Sequence, residues 1–102
     1  MEEVKINKVT DGKLEIVLSG DIDLGNAEAF YAEVMSGYNA TPANVVFDCT
    51  QLNFIDSTTL GTFVKILKHV KTNGHTMRLL GLQSKIKKLF LICSLDSIME
   101  IA

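Results

Sequence analysis

Hydrophobic and polar residues alternate near the start of the chain in the pattern of a half-buried β-strand. Over Leu14–Leu18 every second residue is apolar and the residues between them include a charged one. An earlier strand is predicted over Val4–Val9. Asp11 and Gly12, between the two strands, predict a tight hairpin, because glycine tolerates the positive φ that such turns require. A strand buried on both faces would be apolar throughout, so the alternation predicts a sheet with one uncovered face.

Three further segments carry apolar residues at helical spacing. The first predicted helix runs from Asn26 to Tyr38, and Asp23 is expected to cap its start. The second runs from Ser57 to Asn73, and Gly74 is expected to follow its last turn. A short third helix is predicted with Ser84 as its N-cap. The side chains expected to face inward are Ala27, Phe30, Tyr31, Val34 and Tyr38, then Leu60, Val64, Leu67 and Val70, and finally Ile86, Leu89 and Phe90.

Short apolar strands predicted at Val45–Cys49, Met77–Leu80 and Ile98–Ile101 complete the order β-β-α-β-α-β-α-β. Each strand–helix–strand step requires a parallel crossover, and such crossovers are right-handed almost without exception. If consecutive strands are neighbours, a constant hand places every helix on the same face. We therefore predict one α/β domain over residues 1–102. Its fold is a singly wound, mostly parallel five-stranded sheet with an antiparallel first edge strand and helices mainly on one face.

This topology predicts where polar side chains meet. Sites in parallel sheets collect beyond the carboxyl ends of the strands. Three loops are expected at that end, over Gly20–Asp23, Thr50–Ser57 and Gly81–Ser84. The side chains expected to share this rim are Asp23, Asp56, Ser57 and Ser84.

A serine and two threonines, Ser57, Thr58 and Thr59, begin the second predicted helix. A hydroxyl there lies among unpaired backbone N–H groups at the positive end of the helix dipole, which suits either a cap or a phosphate. From the residues alone, a cap is the simpler interpretation. A phosphate would gain from the dipole and be opposed by Asp56 and Asp23, so it need not alter the fold. It would add about two negative charges to the rim.

Composition limits the possible partners of this chain. It has 102 residues, of which 47% are apolar, and its net charge is −2. No Lys/Arg run is dense enough for nucleic-acid binding, and Lys85, Lys87 and Lys88 are expected on a solvated helix face. No apolar run approaches the ~18 residues of a membrane span. The first residues show no signal-peptide pattern. We therefore expect a cytoplasmic protein with no direct membrane insertion.

The sequence offers no arrangement typical of a hydrolase or a nucleotide-binding protein. Ser57 and His69 lie ~18 Å apart along the predicted helix axis, and no G-x-S-x-G motif occurs. His75 lies beyond the far end of that helix, and both histidines are expected to face solvent. Neither glycine-rich phosphate-binding motif is present.

Metal and disulfide chemistry are also not expected. Cys49 and Cys93 belong to no metal-binding spacing and are expected to be buried free thiols. Asp21 and Asp23 could bind a hard cation together with Asp56, but a cap at Asp23 is the preferred interpretation. We expect no metal and no cofactor.

The segment Val45–Gly61, VVFDCTQLNFIDSTTLG, resembles the signature of the STAS domain in its stand-alone form, the anti-sigma factor antagonist. Leu18–Asp23, LSGDID, resembles that family's second motif. The order of strands and helices matches as well, so the resemblance covers essentially the whole chain. The D-S-[ST]-x-L-G part is its most specific portion. The resemblance implies a regulatory binding protein with no catalysis of its own.

The resemblance also implies roles for individual residues. In such proteins the serine after the aspartate is phosphorylated by an anti-sigma factor that is itself a serine kinase. The unmodified form binds that kinase and frees a sigma factor, and a serine phosphatase resets the modified form. Ser57 would be the phosphoacceptor, with Thr58 and Thr59 as rivals; the family usually has glycine at the position of Thr59. The implied partner-binding residues are Asp21, Asp23, Asp56, Ser57, Thr58, Thr59 and Gly61.

Two other functions stay open. The first is a non-phosphorylated interaction module of a transporter or a larger signalling complex, suggested by Thr59 and by the predicted open sheet face. The second is a small enzyme acting on a phosphorylated or carboxylate metabolite, suggested only by the polar rim. Because no base lies near a nucleophile, we expect no enzyme activity. We expect the free protein to be a monomer.

Overall fold

The computed structural model describes residues 1–102 as one five-stranded sheet with three α-helices. The sheet has the order β1-β2-β3-β4-β5; β1 is antiparallel to β2, and the other neighbours are parallel. This arrangement confirms the predicted fold class. A short 3-10 helix at Leu95–Ser97 precedes the last strand. The strands are β1 Val4–Ile6, β2 Lys13–Ile22, β3 Asn44–Ile55, β4 Met77–Leu80 and β5 Glu100–Ile101, and the helices are α1 Ala27–Ala40, α2 Ser57–Thr72 and α3 Ser84–Ile92.

The predicted hairpin joins β1 to β2. Asp11 and Gly12 both have positive φ, 55° and 73°, as a tight primed turn requires. The flanking residues Thr10 and Lys13 exchange two backbone hydrogen bonds of 3.0 Å. The segment from Ile6 to Thr10 contains one residue more than the opposite segment from Lys13 to Ile16, so the pairing at the turn does not continue the register of β1 and β2. The regular part of β1 therefore ends at Ile6, before the predicted Val9.

Four phenylalanines show that all three helices pack on one face of the sheet. Phe63 of α2 lies at their centre, with ring centroids 5.2 Å from Phe30 of α1, 5.4 Å from Phe47 of β3 and 5.5 Å from Phe90 of α3. All four side chains have no exposed surface. They belong to a continuous core of 26 buried residues. No helix of the fold is both long and apolar enough to cross a membrane.

The buried stripe of α2 differs from the predicted one. Phe63 and Ile66 are fully buried, although neither was among the expected inward side chains. Val64, which was expected to face inward, is only half-buried, and Leu89 of α3 is exposed. The helix is rotated so that its largest apolar residue, Phe63, fills the space above β3, because burial of an aromatic ring contributes most to the core.

Strands β2 and β3 run further than predicted, to Ile22 and Ile55, so most of the expected loops Gly20–Asp23 and Thr50–Ser57 are strand. The pairing of β3 with β4 ends at Asp48, whereas its pairing with β2 continues to its last residue. Beyond Asp48 the two strands therefore form a ribbon that extends past β4. Because a ribbon of two strands is open to solvent, it tolerates polar residues. The polar second half of β3 therefore resembled a loop in the sequence.

Several smaller expectations are wrong. Gln83, with extended backbone, is the N-cap of α3, and Ser84 is the first helical residue. Cys93 is exposed, whereas Cys49 is buried, and burial together with the nearby Asp48 charge raises the pKa of its thiol to about 12.

The two histidines are also placed differently from the expectation. His69 and His75 are half-buried against the buried Tyr38, with ring centroids 5.5 and 5.6 Å from the Tyr38 ring. The Tyr38 hydroxyl forms a hydrogen bond with Nδ1 of His75. This cluster joins the ends of α1 and α2, away from the start of α2.

Truncation of Phe63 tests its central place in the core. We expect Phe63→Ala to lower the free energy of unfolding by about 3–5 kcal/mol, because it removes a buried ring that three elements contact. Phe63→Leu should cost less, since it keeps part of the volume. Urea denaturation followed by far-UV circular dichroism measures both. Ile92→Ala, at a side chain that is 78% exposed, is the control, with an expected change within about 0.5 kcal/mol. Equal losses for Phe63→Ala and Ile92→Ala would contradict this account.

Candidate functional site

Asp56 is the N-cap of α2, and its carboxylate joins this helix to the loop after β2. Oδ1 accepts the backbone N–H of Thr59 at 3.0 Å, and Oδ2 accepts the backbone N–H of Leu24 at 2.9 Å. The Thr59 hydroxyl lies 3.1 Å from Oδ1. These donors, the Thr59 N–H first, favour the ionised form and lower the pKa of Asp56. Asp56 is therefore a fixed negative charge beside Ser57.

Asp23 shapes the loop before α1 but does not cap that helix, which corrects the expectation. Its Oδ1 accepts the N–H of Gly25 at 2.9 Å within the loop. Asn26 occupies the N-cap position, without a side-chain cap bond. Its side chain points back into the loop, where Oδ1 accepts the Asp23 N–H at 2.8 Å and Nδ2 donates to the Asp21 carbonyl at 2.9 Å. The amide can bond in both directions, which a carboxylate cannot do, and this explains why asparagine is found there.

The three hydroxyls at the start of α2 have different environments. Ser57 and Thr58 are exposed, whereas Thr59 has no exposed surface. The Thr59 hydroxyl donates to the carbonyl of Ile22 at the end of β2, at 2.6 Å. Thr59 therefore turns inward and fastens the helix to the ribbon. Only the first two hydroxyls face solvent.

Gly61 lies one turn after Ser57 on the same exposed side of α2. A Cβ at this position would meet no atom within 4 Å. A glycine inside a helix costs about 1 kcal/mol relative to alanine, so one would expect a structural reason for it. Packing within the fold supplies none. The absence of a side chain instead leaves the helix surface flat next to Ser57.

An open groove of about 570 Å³ runs between the starts of α1 and α2. Leu24, at its mouth, has 74% of its surface exposed. Phe54, near the end of β3 and outside this groove, has 47% of its surface exposed. Sequence reasoning missed both residues. The available signal was an apolar residue, Leu24, between Asp23 and Gly25 in an otherwise polar turn. The groove is lined by Leu24, Gly25, Ala27, Glu28, Tyr31, Thr58, Thr62 and Lys65.

The structure brings two of the three expected rim segments into direct contact. Hydrogen bonds join the Asp23 loop to Asp56 at the start of α2. The segment before Ser84 is joined to β3 further back, where Gln83 Nε2 donates to Asn53 Oδ1 at 3.1 Å. Asp21 is exposed on the rim. No group of three or more His, Cys, Asp or Glu side chains is placed to hold a metal ion.

Comparison with known proteins places this chain in a family. The family model of the STAS domain matches residues 5–102. The chain belongs to the STAS domain family. This STAS domain is 29% identical over 99 residues to the anti-sigma-B factor antagonist of Listeria monocytogenes, which covers 96% of this chain and 86% of the relative.

Solved structures share the fold of this STAS domain. A proposed anti-sigma factor antagonist from Thermotoga maritima superposes with a TM-score of 0.87 at 23% identity, covering 96% of this chain and 84% of that one. The phosphorylated form of the Bacillus cell fate determinant SpoIIAA gives a TM-score of 0.74 at 20% identity, with coverage of 97% and 90%.

The lowered pKa of Asp56 makes a prediction about acid stability. A carboxyl group whose pKa is lower in the folded state stabilises the fold at any pH above its pKa in the unfolded chain, near 3.8. This contribution is lost as the pH falls through the pKa of the folded state. We expect Asp56→Asn to lower the thermal midpoint at pH 7, because a neutral amide with one oxygen cannot accept both N–H groups. The difference from the unsubstituted protein should shrink below pH 3.8.

Thermal unfolding between pH 2 and 7 measures this difference. Asp96→Asn, at an exposed aspartate outside the site, is the matched control and should leave the midpoint and its pH dependence nearly unchanged. A destabilisation by Asp56→Asn that is constant across this range would contradict the assigned role of the charge.

Proposed function

We propose that this STAS domain is an anti-sigma factor antagonist that acts in the cytoplasm through reversible partner binding. In its unphosphorylated form it binds an anti-sigma factor that is also a serine kinase, and thereby frees a sigma factor. Phosphorylation of Ser57 ends the binding, and a serine phosphatase restores it. The observation that carries the proposal is the exposed Ser57 hydroxyl at the first turn of α2, beside the fixed Asp56 cap. The protein needs no catalysis of its own, since the kinase supplies it.

Burial and hydrogen bonding favour Ser57 among the three hydroxyls. Thr59 has no exposed surface, and its hydroxyl donates to the Ile22 carbonyl. A kinase could reach it only after the start of α2 had separated from β2. Thr58 is exposed but lines the groove against α1, together with Tyr31. Ser57 is exposed and does not line this groove, so it is the favoured acceptor, and the remaining rival is Thr58.

The hydrogen bonds of the cap explain how a phosphate would act. Asp56 already accepts the N–H of Thr59 through its side chain and the N–H of Leu60 through its carbonyl, at 3.0 and 3.2 Å. A phosphate on Ser57 therefore finds these donors engaged and a carboxylate next to it. Such a phosphate acts mainly by repulsion and desolvation at a docked surface, and it leaves the fold unchanged.

Phosphorylation by the anti-sigma factor kinase of the same organism tests the site. We expect incubation with this kinase and ATP to add one phosphate, which peptide mass spectrometry maps to Ser57. Ser57→Ala should remain unmodified, while the matched variant Thr58→Val should still receive one phosphate at Ser57. Phosphate on Thr58 in the unsubstituted protein would contradict the assignment.

Binding of two Ser57 variants to the kinase separates a phosphorylation-controlled antagonist from the alternative function. Ser57→Ala should bind with unchanged affinity, because it removes only a hydroxyl. Ser57→Asp should bind at least about tenfold more weakly, which corresponds to about 1.4 kcal/mol. Binding of Ser57→Asp equal to that of the unsubstituted protein would instead favour a constitutive module of a transport or signalling complex.

Gly61→Ala should change stability and binding in opposite directions. The added methyl group meets open space, so helix propensity should raise the free energy of unfolding by up to about 1 kcal/mol. The same methyl group would prevent close approach of the partner and weaken binding. Urea denaturation and calorimetric titration with the kinase measure the two effects. A stabilised variant with unchanged affinity would place Gly61 outside the docking surface.

A further inference from the structure

The loop between β2 and α1 holds an apolar side chain in solvent on a fully hydrogen-bonded backbone. Leu24 is 74% exposed, although its neighbours in the loop are polar or glycine. Single exposed apolar residues are common and need no explanation by themselves. This one differs because the backbone that carries it is held at every residue from Asp23 to Ala27.

Each of the five N–H groups from Asp23 to Ala27 donates to a defined acceptor. Three of them donate to side-chain oxygens at 2.8 to 2.9 Å, and two donate to the Asp23 carbonyl at 3.1 and 2.8 Å. The loop therefore does not have to be ordered when a partner binds. A side chain presented in this way loses little backbone entropy on binding, which raises the affinity gained from its burial.

The Asp56 carboxylate connects Leu24 to Ser57. One oxygen caps α2 at Thr59, and the other holds the backbone N–H of Leu24. Leu24 and Thr58 also line the same groove. A surface that covers Ser57 therefore meets Leu24 in a fixed relative position.

Charge on this rim indicates the chemistry of the partner. Asp21 and Glu28 are exposed, and neither takes part in an ion pair; the two ion pairs of the chain lie elsewhere, at Met1–Glu33 and Arg78–Glu100. Lys65 lines the same groove, but its ammonium group lies over the Tyr31 ring, 4.7 Å from the centroid. The two unpaired carboxylates are therefore complementary to an apolar pocket with basic residues at its edge.

We propose that Leu24 is the apolar anchor by which this protein selects its anti-sigma factor, and that the anti-sigma factor receives it in an apolar pocket with a basic edge. This inference rests on the proposed function and adds a specificity-determining residue to it. It also gives a reason for the sensitivity to phosphorylation. A dianionic phosphate on Ser57 would have to be covered by the same surface that encloses Leu24, and burying that charge in an apolar contact is costly.

Substitution of Leu24 tests the proposal, with the purified anti-sigma factor kinase as the probe in calorimetric titration. Truncation of a central anchor typically weakens binding by about 30-fold or more, so we expect at least that loss for Leu24→Ala. Leu24→Met, which keeps the apolar volume, should restore affinity to within about fivefold. Ile92→Ala, at an equally exposed residue on α3, should bind with unchanged affinity.

A second measurement addresses the basic edge. Glu28→Gln should slow association at low salt by a few fold and reduce its salt dependence, since an unpaired rim charge acts mainly on the association rate. Far-UV circular dichroism and thermal midpoints must show that all variants remain folded, and exposure of these side chains makes this the expected result.

The outcomes separate this inference from the proposed function. If the unsubstituted protein binds the kinase and Leu24→Ala binds equally well, the anchor is wrong and the proposed function stands. If Ile92→Ala loses binding and Leu24→Ala does not, the docking surface lies on α3 and the anchor is again wrong. If the unsubstituted protein does not bind the kinase at all, the proposed function fails, and the anchor fails with it.

Discussion

The hydrogen bonds of the Asp56 carboxylate are the interaction on which the site depends. One oxygen caps the helix that begins at Ser57, and the other holds the loop that carries Leu24. The serine and the loop come from parts of the chain more than thirty residues apart. A charged cap can join them because its two oxygens accept from two different segments at once. Together with the hydrogen bond from the Thr59 hydroxyl to the Ile22 carbonyl, this link fixes the start of α2 against the end of β2 and the loop that follows it.

Thr59 and Gly61 lie on opposite sides of α2, one packed against the sheet and the other open to solvent. Thr59 turns its hydroxyl toward the end of β2 and has no exposed surface. Gly61 stands on the opposite, open side and has no neighbour for a side chain to contact. The start of α2 is therefore fastened to the sheet by a buried side-chain hydrogen bond as well as by its backbone.

Much of the fold could be predicted from the sequence, because local signals and chain topology act independently of packing detail. The Asp11-Gly12 turn, the αL glycine Gly74 and the order of strands and helices follow from such signals. The extent of β3 could not be predicted, since its polar second half is a strand only because β2 pairs with it beyond the end of β4. The position of Phe63 at the centre of the core depends on how α2 is rotated above the sheet, which periodicity alone does not determine.

The candidate site, like the fold, could be predicted from the sequence only in part. The start of α2 at Ser57 was predictable, but the expectation that the Ser57 hydroxyl is the cap is wrong, because the Asp56 carboxylate occupies that position and accepts the Thr59 N–H. The inward turn of Thr59 depends on a contact with Ile22, which is distant in sequence, and Leu24 stands out only once the hydrogen bonds of its loop are known. Sequence patterns describe single elements, whereas these features arise where two elements meet.

The central claim is that one phosphate on Ser57 separates this protein from its anti-sigma factor without changing its fold. The most direct measurement is the dissociation constant of the purified pair before and after complete phosphorylation, and again after treatment with a serine phosphatase, with amide NMR spectra recorded at each stage. The account predicts a loss of affinity of at least about tenfold, full recovery, and spectral changes confined to the residues around Ser57. Equal affinity of the two forms would contradict it.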